Sequence, residues 1–253
     1  MYVREEGYLM VTEKRWQEAQ AYEQSYWARL ADNIALGSTG QLGWYSWKAD
    51  LMEQHLVSIA DELSLREGKI LEIGSGPIGI ATFMKWGERY TLDPLEDFYR
   101  SNSRLSELRN RSVTYGVGSG EKVPFGDETF SLVILDNVLD HVHGAGQVLD
   151  EIHRVLSKGR FLYLAVNIHI PWGAFLHRIL SRLKIDRGHP YTFTDRSIRK
   201  FVTDHKFVIR KEFINDYAEA KEKDMKSSSL KDQIKGRTGL SEFVYYAVCQ
   251  KVS

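Results

Sequence analysis

The stretch ILEIGSGPIGIATF, residues 70–83, decides the fold. A short apolar run leads into three glycines spaced Gly74-x-Gly76-x-x-Gly79, and a second apolar run follows. This spacing suits a strand that turns sharply into a helix. The first glycine permits the turn, the second lets a ligand approach bare backbone, and the third lets helix pack on strand. The flanks agree: KILEIG (69–74) predicts a buried strand, IGIATFMKWG (78–87) a helix stopped by Gly87, and RYTLD (89–93) a second strand. Asp93 closes that strand, where a carboxylate can accept both hydroxyl hydrogens of a ribose. The pattern therefore points to a ligand that contains adenosine. A nucleoside triphosphate fits poorly, because no Gly-Lys-Ser/Thr follows the glycines.

Outward from this unit, strand and helix alternate. After RYTLD a helix is expected to about residue 108, then a strand at SVTYGVG (112–118) and another at FSLVILD (130–136). GQVLDEIHRVLS (146–157) predicts a helix ended by Gly159, and RFLYLAVN (160–167) a fifth strand. Interleaved strands and helices imply an α/β fold, a parallel sheet with helices on both faces. TDRSIRKFVTDH (194–205) reads as a helix capped by Thr194. KFVIRKEF (206–213) and SEFVYYAVCQKV (241–252) read as an antiparallel strand pair, joined by a polar, lysine-rich segment (215–240) expected to be a solvated loop. Ahead of the sheet, residues 12–32 and 48–65 have helical spacing, separated by a glycine-punctuated aromatic loop, GSTGQLGWYSW (37–47).

Bulk composition narrows the function. Lys plus Arg equals Asp plus Glu at 34 each, which disfavours bulk nucleic-acid binding. The single cysteine, Cys249, excludes an internal disulfide or a cysteine metal cluster and suits a reducing compartment. No apolar run is long enough to span a bilayer and the N-terminus lacks the features of a secretory leader, so a cytoplasmic location is expected.

On the glycines and Asp93 alone, NAD and S-adenosylmethionine fit equally well. Three further features separate them. Glu72 lies two residues before Gly74, where a pyrophosphate gains nothing from a carboxylate but a ligand with ammonium and sulfonium groups tolerates one. GEKVPFGDETFSLVILDNVLDHV (120–142) resembles the adenine loop and fourth strand of class I S-adenosylmethionine-dependent methyltransferases of the methyltransferase type 11-like kind. VLDEIHRVLSKGRFLYLAVN (148–167) resembles their next helix and strand.

The resemblance implies a Rossmann-like seven-stranded sheet, mostly parallel with an antiparallel terminal strand. It implies one domain over 1–253: an N-terminal helical cap (1–65), a cofactor-binding core (66–168), a lid insertion (169–193) and a C-terminal helix with the antiparallel pair (194–253). It also implies S-adenosyl-L-methionine as cofactor and S-adenosyl-L-homocysteine as product. Gly74, Ser75, Gly76 and Gly79 would bracket the methionine part, with Glu72 orienting it through backbone or water. Asp93 would hold the ribose, with Pro94 and Leu95 along the adenine. Ser119, Gly120 and Glu121 would meet the adenine edge, Ser119 standing where relatives often carry Asp, and Asp136 and Asn137 would sit beside the methyl group.

Asp140 and His141 are the candidate catalytic pair: the carboxylate orients the imidazole, which takes a proton from the acceptor. The alternative is that His141 only caps or packs its helix. No metal site is expected, since Asn137 replaces a carboxylate that metal-using relatives carry beside Asp140 and His141. Tyr22, Tyr26, Trp27, Trp44 and Tyr45 are candidates for an aromatic cover, and Trp172, His189 and Tyr191 for the acceptor pocket. The helix expected within IHIPWGAFLHRILSRLK (168–184) has apolar Trp172, Phe175, Leu176, Ile179, Leu180 and Leu183 with Arg178, Arg182 and Lys184 interspersed, which suits a lid, a membrane-surface helix or a dimer contact. The expected activity is methyl transfer to a small-molecule acceptor, at oxygen, by a monomer or homodimer. An RNA or protein methyltransferase and a non-catalytic cofactor-binding subunit are the alternatives.

Overall fold

The computed structural model describes residues 2–5, 8–35, 40–57, 59, 68–183, 185 and 188–252. A hairpin of β1 (Tyr2–Glu5) and β2 (Tyr8–Val11) precedes α1 (Glu13–Ala35) and α2 (Gly40–Val57). Then follow β3 (Lys69–Ile73), β4 (Glu88–Asp93), α3 (Glu96–Ser101), α4 (Ser103–Ser106), β5 (Val113–Val117), β6 (Phe130–Asp136), α5 (Ala145–Val155) and β7 (Leu156–Ile168). The chain ends with α6 (Pro171–Arg182), α7 (Asp195–Asp204), β8 (Phe207–Ile214), α8 (Tyr217–Lys226), α9 (Leu230–Thr238) and β9 (Phe243–Lys251). The seven-stranded sheet has the order β5-β4-β3-β6-β7-β9-β8, and β9 runs antiparallel to both of its neighbours.

Period-two alternation builds the core. Leu71, Ile73, Val133 and Leu135 face one layer with α5 and α7, while Ile70, Leu132 and Ile134 face the other with Met52 and Leu56 of α2. Buried apolar layers on both faces are what a parallel sheet requires. Strand order reverses about β3, with β4 on one side and β6 on the other, and the carboxyl ends of these strands open the crevice where doubly wound sheets bind ligands.

Several expectations are corrected. The helix expected at 78–87 is a single 3-10 turn, Ile80–Thr82. Gly79 (φ 81°) and Gly87 (φ 74°) bend the chain, and the Glu72 carboxylate caps the short turn by accepting the Ile80 and Ala81 N–H groups. The aromatic loop expected at 37–47 is helical from Gly40, because Tyr45, Ala49, Met52 and Leu56 form a buried stripe at steps of four and three that outweighs the cost of Gly43. The helix expected after β4 breaks at Asn102, which is extended and caps α4. Gly159 does not end a helix: α5 stops at Val155, and Gly159 bends the long β7 at φ 71°.

The polar 215–240 segment forms two helices, capped by Asp216 and Ser229 and closed by Gly239 in the left-handed region. They cross so closely at Gly236 that an added Cβ would lie 2.7 Å from Met225. The β1–β2 hairpin was not foreseen, because neither run is long enough to show a period. The end of the expected 48–65 helix, with Leu63, and the tip of the expected 37–47 loop lie outside the described residues, as do Lys184 and Asp186.

Candidate functional site

The glycine turn is held from both sides by carboxylates. Gly74 donates its N–H to Leu92 O (2.7 Å), which ties the turn to β4. Asp93, at the end of β4, accepts from Gly76 N and Leu95 N, both at 2.8 Å, one on each oxygen. Glu72, at the end of β3, accepts from Ile80 N (2.9 Å) and Ala81 N (2.8 Å). Gly74 and Gly76 have φ 68° and 62°, the left-handed region that lets the loop double back without a Cβ clash. Both carboxylates are buried, and loss of hydration pushes each up to about 7 despite the backbone donors. Each of their oxygens retains a second lone-pair direction, so Asp93 keeps acceptor capacity for further hydroxyl donors.

A third carboxylate, Asp136, ends β6 and pairs with Lys48 of α2 at 2.8 Å. Burial raises its pKa and Lys48 opposes that rise. Lys48 also lies 5.0 Å from the Trp44 ring centroid. Tyr45 is buried; loss of hydration first, then Glu72, Asp93 and Asp136, lifts its phenol well above the ordinary value. An added Cβ at Gly76 would meet the Tyr45 hydroxyl at 3.0 Å and Trp27 at 3.2 Å, so these aromatics rest directly on the glycine loop.

The resulting cleft has two lobes. The larger, about 610 Å³, is lined by Tyr22, Tyr26, Trp27, Trp44, Tyr45 and Lys48 on the helical side and by Glu72, Gly74, Ser75, Gly76, Asp136 and Asn137 on the sheet side, with His141, Gly188 and His189 at one end. The smaller, about 60 Å³, is lined by Asp93, Pro94, Ser119, Gly120 and Glu121 under Trp16 and Gln20 of α1. Glu23, Gly74, Asn137 and His141 line both. Glu121 is tied down by His143 N (2.7 Å) and Gly144 N (3.0 Å). Asn137 is left-handed (φ 58°) and accepts from Asn167 at 2.6 Å.

His141 donates from Nδ1 to Gly188 O (3.0 Å), which leaves Nε2 as the lone-pair nitrogen. Asp140 is buried, its Oδ1 has no hydrogen-bond partner among the described residues, and it lies 3.8 Å from His141 Nε2. The His189 ring is 4.6 Å from that of His141.

Not every candidate reaches the cleft. Leu95 packs with Trp27 and Phe98 around Tyr99. Gly79 backs onto Glu72. Tyr191 donates to His143 O (2.7 Å) and packs on Tyr2 and Phe193. Trp172 is 56% exposed and donates to Thr238 O, because α6 turns Gly173, Ala174, His177 and Ser181 inward and its large apolar residues outward. The lid expectation therefore narrows to Gly188 and His189, since no residue of α6 lines the cleft. Sequence reasoning missed Lys48 and Glu23. A single cation within WYSWKADLM (44–52) was the available signal for Lys48; Glu23 is one of several acids along α1 and had none.

Residues 71–164 match the family model described as a methyltransferase domain. An uncharacterized methyltransferase of Schizosaccharomyces pombe is 29% identical over 105 residues, covering 37% of this chain and 38% of the relative. A ubiquinone/menaquinone biosynthesis C-methyltransferase of Desulfotalea psychrophila is 29% identical over 148 residues, covering 53% and 59%. The chain thus spans less than two thirds of the length of either. Among solved structures, geranyl diphosphate C-methyltransferase of Streptomyces coelicolor, with Mg2+, geranyl diphosphate and S-adenosyl-L-homocysteine bound, superposes with TM-score 0.60 at 13% identity, over 82% of this chain and 79% of that one. A (4+2)-cyclase superposes with TM-score 0.55 at 12% identity, over 82% and 80%. Residues 71–164 thus carry a methyltransferase domain, and the strand order with its antiparallel β9 and the glycine turn at the switch point give the chain the Rossmann-like fold of those structures.

Proposed function

We propose that this protein transfers a methyl group from S-adenosyl-L-methionine to a small molecule, with a hydroxyl oxygen as acceptor. The chemistry of the cleft fits that cofactor. Buried carboxylates and a wall of aromatic rings favour a cation, the glycine turn leaves room for close approach, and Lys48 provides a counter-charge for a carboxylate. Asp93 would accept the ribose hydroxyls, Ser119, Gly120 and Glu121 would flank the adenine, and Gly74 to Gly76 would border the methionine part. Once bound, the sulfonium supplies an electrophilic methyl group and a good leaving group.

The observation that carries the choice of acceptor is the Asp140–His141 pair at the edge of the cleft. His141 is fixed by Gly188 O, so Nε2 can receive the hydroxyl proton as the acceptor oxygen becomes nucleophilic. The Asp140 Oδ1 atom, 3.8 Å away and without a hydrogen-bond partner among the described residues, stabilises the imidazolium that results. The aromatic cover excludes water and holds the acceptor in line, the main contributions a protein makes to this displacement. The enclosing residues also favour a small acceptor over a polymer: the larger lobe is bounded by Tyr22, Tyr26 and Trp44 rather than by an open basic track.

The test has two stages. Calorimetry with S-adenosyl-L-methionine should show one site, and a screen of cell extracts with labelled methyl donor should yield a small-molecule product methylated at oxygen. His141→Gln should then lower the transfer rate by roughly 10²–10⁴-fold, the range for loss of a general base, with cofactor affinity unchanged. Absence of binding sinks the cofactor reading. Binding without transfer to any extract sinks the enzymatic one.

A further inference from the structure

Behind the cleft wall, three side chains from separate elements converge. His169 follows β7, His177 lies on the inner face of α6, and Glu242 immediately precedes β9. Each offers one ligand atom, and these atoms all lie within 4.8 Å of one another. His169 Nε2 is 3.7 Å from Glu242 Oε1. The His169 and His177 rings are 4.7 Å apart, and both side chains are 4% exposed.

We propose that His169, His177 and Glu242 form a site for a divalent transition metal of the zinc class. Two imidazoles and one carboxylate are a donor set that such ions take, and nitrogen ligands disfavour magnesium or calcium. Ligand atoms around tetrahedral zinc sit roughly 3.3 Å apart, as bonds of about 2.0–2.1 Å require, so the His169–Glu242 separation needs only a small contraction.

The surroundings are built as metal sites usually are. Lys235 Nζ holds the other carboxylate oxygen of Glu242 at 2.7 Å, which fixes the carboxylate and leaves Oε1 directed at His169. His177 Nδ1 is 2.7 Å from Thr192 Oγ1, and the site requires the tautomer in which Nδ1–H donates there and Nε2 carries the lone pair.

The site has a structural use. It ties the middle of α6 and the residue after β7 to the residue before β9, and the His177 ring lies 6.2 Å from that of His189, which lines the cleft. A bound ion would anchor the wall that presents His189 without touching the reacting groups. This inference stands apart from the methyl-transfer reading.

The experiment uses the full chain, stripped with a chelator and titrated with Co2+ and with Zn2+. Wild type should bind one equivalent, show the visible absorption bands of tetrahedral cobalt, and melt at higher temperature with zinc. His169→Gln and Glu242→Gln should each weaken binding by more than the roughly 10–100-fold that losing a partner of a ligand costs. His141→Gln should bind as wild type, which separates this site from the neighbouring Asp140, His141 and His189 group. No uptake by wild type, uptake retained in both ligand variants, or loss confined to His141→Gln overturns the proposal. Should a ligand variant fail to fold, the wild-type cobalt spectrum decides, and absence of tetrahedral bands overturns it.

Discussion

Replacing Asp93 by asparagine isolates one carboxylate with two jobs. In the folded chain its oxygens already accept Gly76 N and Leu95 N at 2.8 Å, one each. A bound ribose would add two hydroxyl donors. Asparagine has one oxygen, so its amide must face either a backbone N–H or a ribose hydroxyl, and at least one charge-assisted bond to the ribose disappears. Such bonds contribute about 1.5–3 kcal/mol. Affinity for S-adenosyl-L-homocysteine should therefore fall roughly 10- to 150-fold. Calorimetry with that product avoids turnover, and repeating it with a 2′-deoxy analogue closes a double-mutant cycle. Wild type should lose affinity when the hydroxyl is removed, and Asp93→Asn should lose much less. Equal losses in both proteins refute a ribose contact and leave Asp93 as a clamp on the glycine loop alone. The wild type carries a second signature. Since the carboxyl titrates at about 7, affinity that depends on its ionised form should drop about tenfold from pH 8 to pH 6, and the variant should lack that component.

Three further outcomes follow from the same geometry. Glu72 and Asp93 have folded pKa values raised to about 7, so they hold protons in the fold that the unfolded chain releases; their contribution is full below about pH 4 and is lost as pH rises through 7, on the order of 3–4 kcal/mol each. Thermal melts of the ligand-free protein should thus fall from pH 5 to pH 8, and a rising curve contradicts their burial. Gly79→Ala should cost roughly 2 kcal/mol or more in chemical denaturation, because φ is 81° and the new Cβ would lie 2.6 Å from Glu72 Oε2, which two backbone donors prevent from moving. Lys48→Met should destabilise by up to roughly 3–5 kcal/mol, by stranding Asp136, and should weaken cofactor binding in calorimetry; unchanged stability would mean that Asp136 is hydrated.

The sheet was legible because its signals are local. KILEI, RYTLD and FSLVILD are short apolar runs at regular intervals, and burial on both faces leaves them no other element to join. The glycine spacing and Asp93 were legible for the same reason. What failed depended on contacts distant in sequence. Within 78–87 the left-handed Gly79 backs onto Glu72 of the neighbouring strand, and α2 exists because its stripe meets the sheet. The spacing of α6 did not say which face is buried: Trp172, Phe175, Ile179 and Leu183 face outward, and the fold buries Gly173, Ala174, His177 and Ser181 instead. Lys48 and the His169–His177–Glu242 group could not be seen from sequence, since their members come from elements that only the tertiary fold brings together.

Charge distribution gives the strongest argument about the ligand. The whole chain is balanced at 34 cations and 34 anions, but the larger lobe of the cleft is not. Glu23, Glu72 and Asp136 line it, Asp93 stands against the adjoining lobe, and Lys48 is its only lysine or arginine among the described residues. A pyrophosphate in this place would meet Glu72 and Asp93, whose carboxyls burial pushes up to about 7, and would oppose their ionisation further. A ligand with a sulfonium and an ammonium reverses that balance: it makes ionised Glu72, Asp93 and Asp136 favourable again and leaves Lys48 for its carboxylate. The same aromatic residues that close the lobe then face a cation, an arrangement their ring quadrupoles reward. Electrostatics at three strand ends, more than the glycine motif, thereby separates a methyl donor from a dinucleotide in this fold.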